Sequence, residues 1–256
     1  GVSGTVKYSP VYHPEERINW TLSASFKHQK AKYEDIGNSL DQFNKENLNT
    51  SLVRYYDGGS PTALWAVRSL GINPSDGREL FLTKEGTYTF EYDTEDEVVV
   101  GNSEPKLEGV LGSTLYWKDF SFSLYFRYSL GADVFTEATY NKVENISLAG
   151  LKSNQDKRAL HDRWQKPGDH AKFKGISLTE TTPISSRFVL RENYIKAESI
   201  SVGYDFESQA VQKLGIQSLR LQANTTDLFR ISSIKEERGI EYPFARSFSF
   251  SLSAMF

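Results

Sequence analysis

Lys118-Asp119-Phe120-Ser121-Phe122-Ser123-Leu124-Tyr125-Phe126-Arg127-Tyr128-Ser129-Leu130 is the stretch that decides how this chain reads. Phe120, Phe122, Leu124, Phe126, Tyr128 and Leu130 fall on alternate positions, and Ser121, Ser123, Tyr125, Arg127 and Ser129 lie between them. A helix repeats every 3.6 residues and a strand every two, so this stretch is a strand with one apolar and one polar face. The same alternation runs through residues 17–27, where Ile18, Trp20, Leu22, Ala24 and Phe26 oppose Arg17, Asn19, Thr21, Ser23, Ser25 and Lys27. It returns at the end, with Phe248, Phe250, Leu252, Ala254 and Phe256 against Ser247, Ser249, Ser251, Ser253 and Met255.

Four less regular segments extend the pattern. Val2, Val6, Tyr8 and Tyr12 share a face in 1–12, and Leu107, Leu111, Leu115 and Trp117 share one in 105–117. Leu219, Leu221 and Ala223 oppose Ser218, Arg220, Gln222 and Asn224. Residues 187–206 change phase, from Ile195 and Ala197 at odd positions to Ile200, Val202, Tyr204 and Phe206 at even ones. A bulge near Glu198 and Ser199 accounts for that change. The reading is therefore all-β, with about seven antiparallel strands near 1–12, 17–30, 105–117, 119–131, 187–206, 217–230 and 244–256. They are long against the roughly 5–6 residues that are usual.

The connections alternate in length. Residues 13–16 and the turn at Lys118-Asp119 are short, and 207–216 has room for one helical turn (Ser208, Ala210, Val211, Leu214). Between them lie long loops, 31–104 and 132–186, and a shorter one at 231–243. Loops beyond roughly 12–15 residues are uncommon in compact domains and usually functional. Short turns on one side and long loops on the other describe an outer-membrane barrel.

Composition narrows the classes further. Counting Gly but not Tyr, about 39% of the 256 residues are apolar, below the roughly 45–50% of soluble domains. Aromatics nevertheless reach 13%, which argues against disorder. There is no cysteine, hence no disulfide framework, thiolate metal site or cysteine nucleophile. Uncharged runs extend to about ten residues, half of what a spanning helix needs. A net charge of -3 without a basic stripe argues against a nucleic-acid partner. The chain opens at Gly1 inside a strand pattern without an initiator Met, as a piece of a longer polypeptide would.

Alternation does not say what covers the apolar face. A soluble sandwich buries it under a second sheet; a membrane barrel buries it in lipid. Strand length suits a tilted crossing, and aromatics gather near strand ends at Tyr8, Tyr12, Trp20, Trp117, Tyr128, Tyr204, Phe229 and Phe256, as interfacial girdles require. These features favour the barrel. The alternative is a soluble extracellular β-sandwich that binds carbohydrate.

Several motifs point to one family. Gly101-Asn102-Ser103-Glu104-Pro105-Lys106 leads into a strand, followed by Tyr116-Trp117-Lys118-Asp119-Phe120. Arg163-Trp164-Gln165-Lys166-Pro167 lies in a long loop, and Asn193-Tyr194-Ile195-Lys196 precedes Ile200-Ser201-Val202-Gly203-Tyr204. Leu214-Gly215-Ile216, Ser218-Leu219-Arg220, Asp227-Leu228-Phe229 and Tyr242-Pro243-Phe244-Ala245-Arg246-Ser247-Phe248 complete the series, which ends on an aromatic, Phe256. In this order they resemble the SusC/RagA-like TonB-dependent transporters of the Bacteroidetes outer membrane, across roughly 69–256. The resemblance implies the C-terminal portion of a barrel of about 22 strands, with a periplasmic C-terminus, short periplasmic turns and long extracellular loops. Plug domain, TonB box and earlier strands are absent from this sequence. Seven open strands leave edges that lipid cannot satisfy, so the remaining barrel and its plug are expected partners. The family also implies a SusD-like surface lipoprotein as lid, TonB acting through the missing N-terminal region, outer-membrane lipid, and an oligosaccharide or peptide substrate.

No catalytic motif is found: there is no G-x-S-x-G, P-loop, H-E-x-x-H or EF-hand loop, and no enzyme activity or cofactor is expected. His13 and His28 fall at strand ends. His161, Asp162, Asp169 and His170, and the run Asp93-Thr94-Glu95-Asp96-Glu97, carry metal-ligating atoms without a standard spacing, so no metal site is assigned. The candidate ligand or partner contacts are Tyr55 and Tyr56 beside Asp57, Trp65 near Arg68, and Arg163 with Trp164. Flat rings stack on sugar faces or grip peptide side chains, and Trp, Tyr and Arg dominate interfaces.

Overall fold

In the computed structural model of the chain, the described residues are 1–177, 179–206, 213, 215–235 and 246–256. The expected helical turn of Ser208, Ala210, Val211 and Leu214 lies outside them, as do Leu214 and Tyr242 to Ala245 of the family motifs. The chain forms two units interleaved along the sequence. The first comprises Gly1–Gln29, Pro105–Gly131 and Glu192–Phe256; the second comprises Lys30–Glu104 and Ala132–Arg191.

The first unit is one antiparallel sheet. Its strands are β1 (Val2–His13), β2 (Ile18–His28), β7 (Leu107–Trp117), β8 (Phe120–Phe135), β9 (Val189–Phe206), β10 (Ser218–Thr226) and β12 (Phe248–Met255), adjacent in that order. A short β11 (Arg230–Ser232) also pairs with β9. The alternation seen in the sequence sets the register. Leu111 faces Phe126, Leu115 faces Phe122 and Trp117 faces Phe120. Leu221 lies between Tyr204 and Leu252.

The apolar face of this sheet is open. Val6, Phe26, Leu111, Trp117, Phe120, Val202, Leu221, Phe248 and Leu252 are all exposed, and Phe250 reaches 76%. An apolar surface of that extent marks contact with lipid or protein. A sandwich would need a second sheet over these residues, so this exposure favours the barrel. The unit is instead a seven-stranded wall of a transmembrane antiparallel barrel. No helix among the described residues is long and apolar enough to cross a membrane.

The polar face is held by ion pairs. Arg17 meets Asp119 at 3.1 Å, Lys27 meets Glu108 at 3.0 Å and Arg127 meets Glu198 at 2.6 Å. Arg220 donates to Ser121 Oγ at 3.0 Å. Arg17 and Asp119 join two short turns, while the other three pairs each tie two strands of the wall.

Two departures from strict alternation are informative. Tyr8 pairs with Leu22 and Val11 with Trp20, so one residue of β1 is extra. Pro10, which has no N–H to give a ladder, sits in that bulge. The bulge places Val11 opposite Trp20, and moves Tyr12 opposite Asn19 on the polar side. Tyr12 therefore does not share the apolar face of Val2, Val6 and Tyr8, contrary to the expectation from sequence. On β9, three steps separate Lys196 from Ser199, but four separate Thr226 from Arg230 on the facing chain. On this side of β9 the extra residue lies in that facing segment, where Asp227 takes φ 48°.

The second unit shows that the two long loops are not irregular. They contain a four-stranded sheet in the order β5 (Tyr88–Thr89), β4 (Glu79–Leu82), β3 (Ala63–Ile72) and β6 (Glu97–Asn102), plus the helix α1 (Asp41–Glu46) and shorter turns. Ala63, Ala66, Val67 and Phe81 are buried in it. Val143, Ala159, Phe173 and Phe188 form its other apolar cluster.

Candidate functional site

The loop unit is framed by buried ion pairs. Arg54 donates from Nε and Nη2 to the two oxygens of Glu97 at 3.0 and 2.8 Å, with both side chains almost fully buried. Its Nη1 donates to Ser51 O and Val53 O. Burial, outweighing Arg54, raises the Glu97 carboxyl above its ordinary value. Tyr92, between Asn49 Oδ1 and Ile184 O, is raised too, first by burial and then by Glu97.

A second network centres on Arg187. It donates to Glu79 from Nε and Nη2, at 3.2 and 2.8 Å. It also donates to Glu144 from Nη1 and Nη2, both at 3.1 Å. Ser185 Oγ gives Glu79 a further bond at 2.6 Å, and Thr182 Oγ1 gives Glu144 one at 2.8 Å. Burial alone would pull the Arg187 guanidinium down; the bonds and charges of Glu79 and Glu144 outweigh it and hold it above its ordinary value. The planar fork of Arg suits two carboxylates at once, where Lys offers a point charge.

Tyr55, Tyr56 and Trp65, singled out in the sequence, are brought together. Asn44, buried on α1, donates to Tyr55 O and accepts from Tyr55 N. Asp57 accepts from the amides of Ile36 and Gly37. These bonds fix the chain on both sides of Tyr56. Its ring packs on Trp65 at 5.2 Å between centroids, while Tyr55 turns toward Tyr33 and Phe43. Tyr56 and Trp65 line a cleft of about 660 Å³ whose lining also includes Asp41, Lys45, Lys84, Glu85, Glu95 and the 93–97 turn. That volume is within the range of small-ligand sites.

Arg163 and Trp164 are placed elsewhere, and Arg163 is largely buried. It is 6% exposed and donates to the carbonyls of Lys174, Val143 and Glu144. Burial lowers its pKa. Trp164 donates from Nε1 to Pro74 O at 2.9 Å and lies against Gly77. Gly77 has φ +72°, and a Cβ there would come within 2.5 Å of the Trp164 ring. Both residues hold loops together. Beside them, Asp169 accepts from the amides of Gln165 and Lys166, which hold its carboxyl below its usual range. Among the described residues no group of three or more His, Cys, Asp or Glu is placed to hold a metal ion. The pairings of Glu79, Glu97, Glu144 and Arg187 had no local signal in the sequence, since each joins residues far apart along the chain.

The wall and its folded loops define the class, a section of transmembrane β-barrel carrying a structured loop unit. No protein-family model matches the chain. Two TonB-dependent receptors of Formosa agariphila match it in sequence. Receptor P39 is 23% identical over 161 residues, 61% of this chain and 15% of its own length. Receptor P3 is 25% identical over 173 residues, 68% of this chain and 16% of its own. In fold, the chain resembles the RagAB peptide transporter with a TM-score of 0.69 and 16% identity, over 90% of this chain and 25% of that one. The open-open state of the RagAB peptide importer gives 0.68 and 16%, over 92% and 25%. In sequence the chain is similar to TonB-dependent receptors, and in fold to the RagAB peptide transporter. It spans about one sixth of the length of the curated relatives it matches.

Proposed function

We propose that this chain is the C-terminal barrel section of a TonB-dependent outer-membrane importer of oligosaccharides or peptides, working under a SusD-like lipoprotein lid. One observation carries the reading: a seven-stranded antiparallel wall with an exposed apolar face and a polar face crossed by ion pairs. Lipid meets the first face, and a wet lumen or a plug meets the second. The short turns lie on the periplasmic side and the loop unit outside, where cargo and lid arrive. The chain's part is to form wall and vestibule, with no bond chemistry. Its partners are the remaining barrel, the plug and, through the plug's N-terminal extension, TonB.

The Tyr56–Trp65 ring pair supports an oligosaccharide as first cargo, because flat rings stack on sugar faces. Peptide is the second reading, supported by the fold likeness to a peptide transporter. The test is uptake of labelled oligosaccharides and peptides by cells expressing the full polypeptide, with and without a functional TonB. TonB-dependent accumulation of either cargo is expected. Accumulation that ignores TonB, or none for both cargoes, contradicts the proposal.

A further inference from the structure

The Tyr56–Trp65 cleft has a chemistry that a generic sugar platform does not need. Six carboxylates and two ammonium groups line it, and the carboxylates divide into two kinds. Three serve the fold: Glu97 holds Arg54, Asp93 accepts the Glu95 amide at 2.8 Å, and Asp96 accepts the Lys84 amide at 2.9 Å. The other three, Asp41, Glu85 and Glu95, hold no ion pair among the described residues. Lys45 and Lys84 do not balance them, so the wall of the cleft remains negative. The same cleft is lined by a tilted ring pair, with Tyr56 41% exposed. Aromatic faces attract cations, and acids beside them add a longer-range pull.

We propose that this cleft selects cargo bearing a primary ammonium or guanidinium group, seated over the Trp65–Tyr56 rings and neutralised by Asp41, Glu85 and Glu95. The inference deepens the importer reading and rests on it for the arrival of cargo at the loop unit. Two sources supply the same chemistry, a lysine side chain in a peptide and the free amine of an amino sugar. Anionic cargo is disfavoured, since the lining would repel it.

Binding to the full-length protein in detergent tests this directly. Two matched pairs serve as probes: capped Ala-Lys-Ala against capped Ala-norleucine-Ala, and the glucosamine disaccharide against its fully N-acetylated form. The charged member of at least one pair is expected to bind about tenfold more tightly than its neutral partner. The pair that shows the preference identifies the source. The variant Asp41→Asn, Glu85→Gln, Glu95→Gln should erase the preference, and 0.5 M salt should weaken it. Trp65→Ala should weaken the charged member further, and Trp65→Phe should keep most of the binding, which separates a stacking role from a folding defect. Equal affinity within both pairs, or a preference that survives the triple variant, overturns the inference. Cation-selective binding without TonB-dependent uptake would sink the importer reading alone. TonB-dependent uptake without cation selectivity would sink this inference alone.

Discussion

Arg187 shows what individual side chains contribute in the loop unit. Its guanidinium is shared by Glu79 and Glu144, and each carboxylate receives another bond from Ser185 or Thr182. Breaking a buried pair leaves an uncompensated charge and costs about 3–5 kcal/mol. Arg187→Ala should therefore loosen the loop unit by that order, seen as protease cutting within 132–191. Glu79→Gln should cost less, because the amide oxygen still accepts from Ser185. Close approach matters equally in the wall. Gly109 faces Tyr128 and Gly112 faces Tyr125. A Cβ at Gly109 would meet Ser25 O and Tyr128 Oη, and one at Gly112 would come within 2.8 Å of the Tyr125 ring. Gly112→Val should destabilise the barrel by about 1–3 kcal/mol, the usual cost of overpacking, read as a lower temperature for the heat shift on gels. Arg163 and Trp164 mark the limit of sequence reading at this scale. An Arg-Trp pair on a long loop reads as a contact from sequence, and nothing local tells that Arg163 also donates to the Val143, Glu144 and Lys174 carbonyls.

The turn carrying Asp169 behaves as a small pH-dependent element. Its carboxyl is held below the usual range by the Gln165 and Lys166 amides. A depressed acid stabilises the folded form above its unfolded pKa, and that contribution fades as pH falls through the lower folded value. Protease sensitivity of 165–169 should therefore rise only in acid for the parent chain, and at neutral pH for Asp169→Asn. The strands carry a different signature. Trp117, Phe120, Tyr204 and Phe206 form a run of ring contacts across β7, β8 and β9 at 6.2, 4.6 and 4.6 Å. Such a run at the short-turn end is what an interfacial girdle requires. Trp117 emission should be quenched more by bromines near the headgroups than by bromines near the bilayer centre. Strand faces were legible where period 2 runs unbroken, as in β2, β8 and β12. The β1 bulge was not, because Val2, Val6, Tyr8 and Tyr12 keep even spacing in sequence while Pro10 shifts the ladder beneath them.

At the scale of the molecule, what the sequence lacked was distance. The wall is built largely from hairpins and neighbouring segments, so alternation and turn spacing suffice to read it. The loop unit is joined by contacts such as Ser185 to Glu79 and Asn49 to Ile184, more than a hundred residues apart. No periodicity encodes such pairs, so 31–104 and 132–186 read as loops although they contain a sheet. The central claim is that the open face of the wall meets lipid. This stretch has no cysteine, so any cysteine introduced into it is its only one, and any elsewhere in the full polypeptide would first be replaced by serine. We would place cysteines one at a time at Ser121, Phe122, Ser123, Leu124 and Phe126 in the full polypeptide, in outer-membrane vesicles, and treat them with a water-soluble maleimide. The barrel account predicts labelling at 121 and 123 and protection at 122, 124 and 126. Equal labelling at all five positions, or protection of 121 and 123 with labelling of the other three, would contradict it.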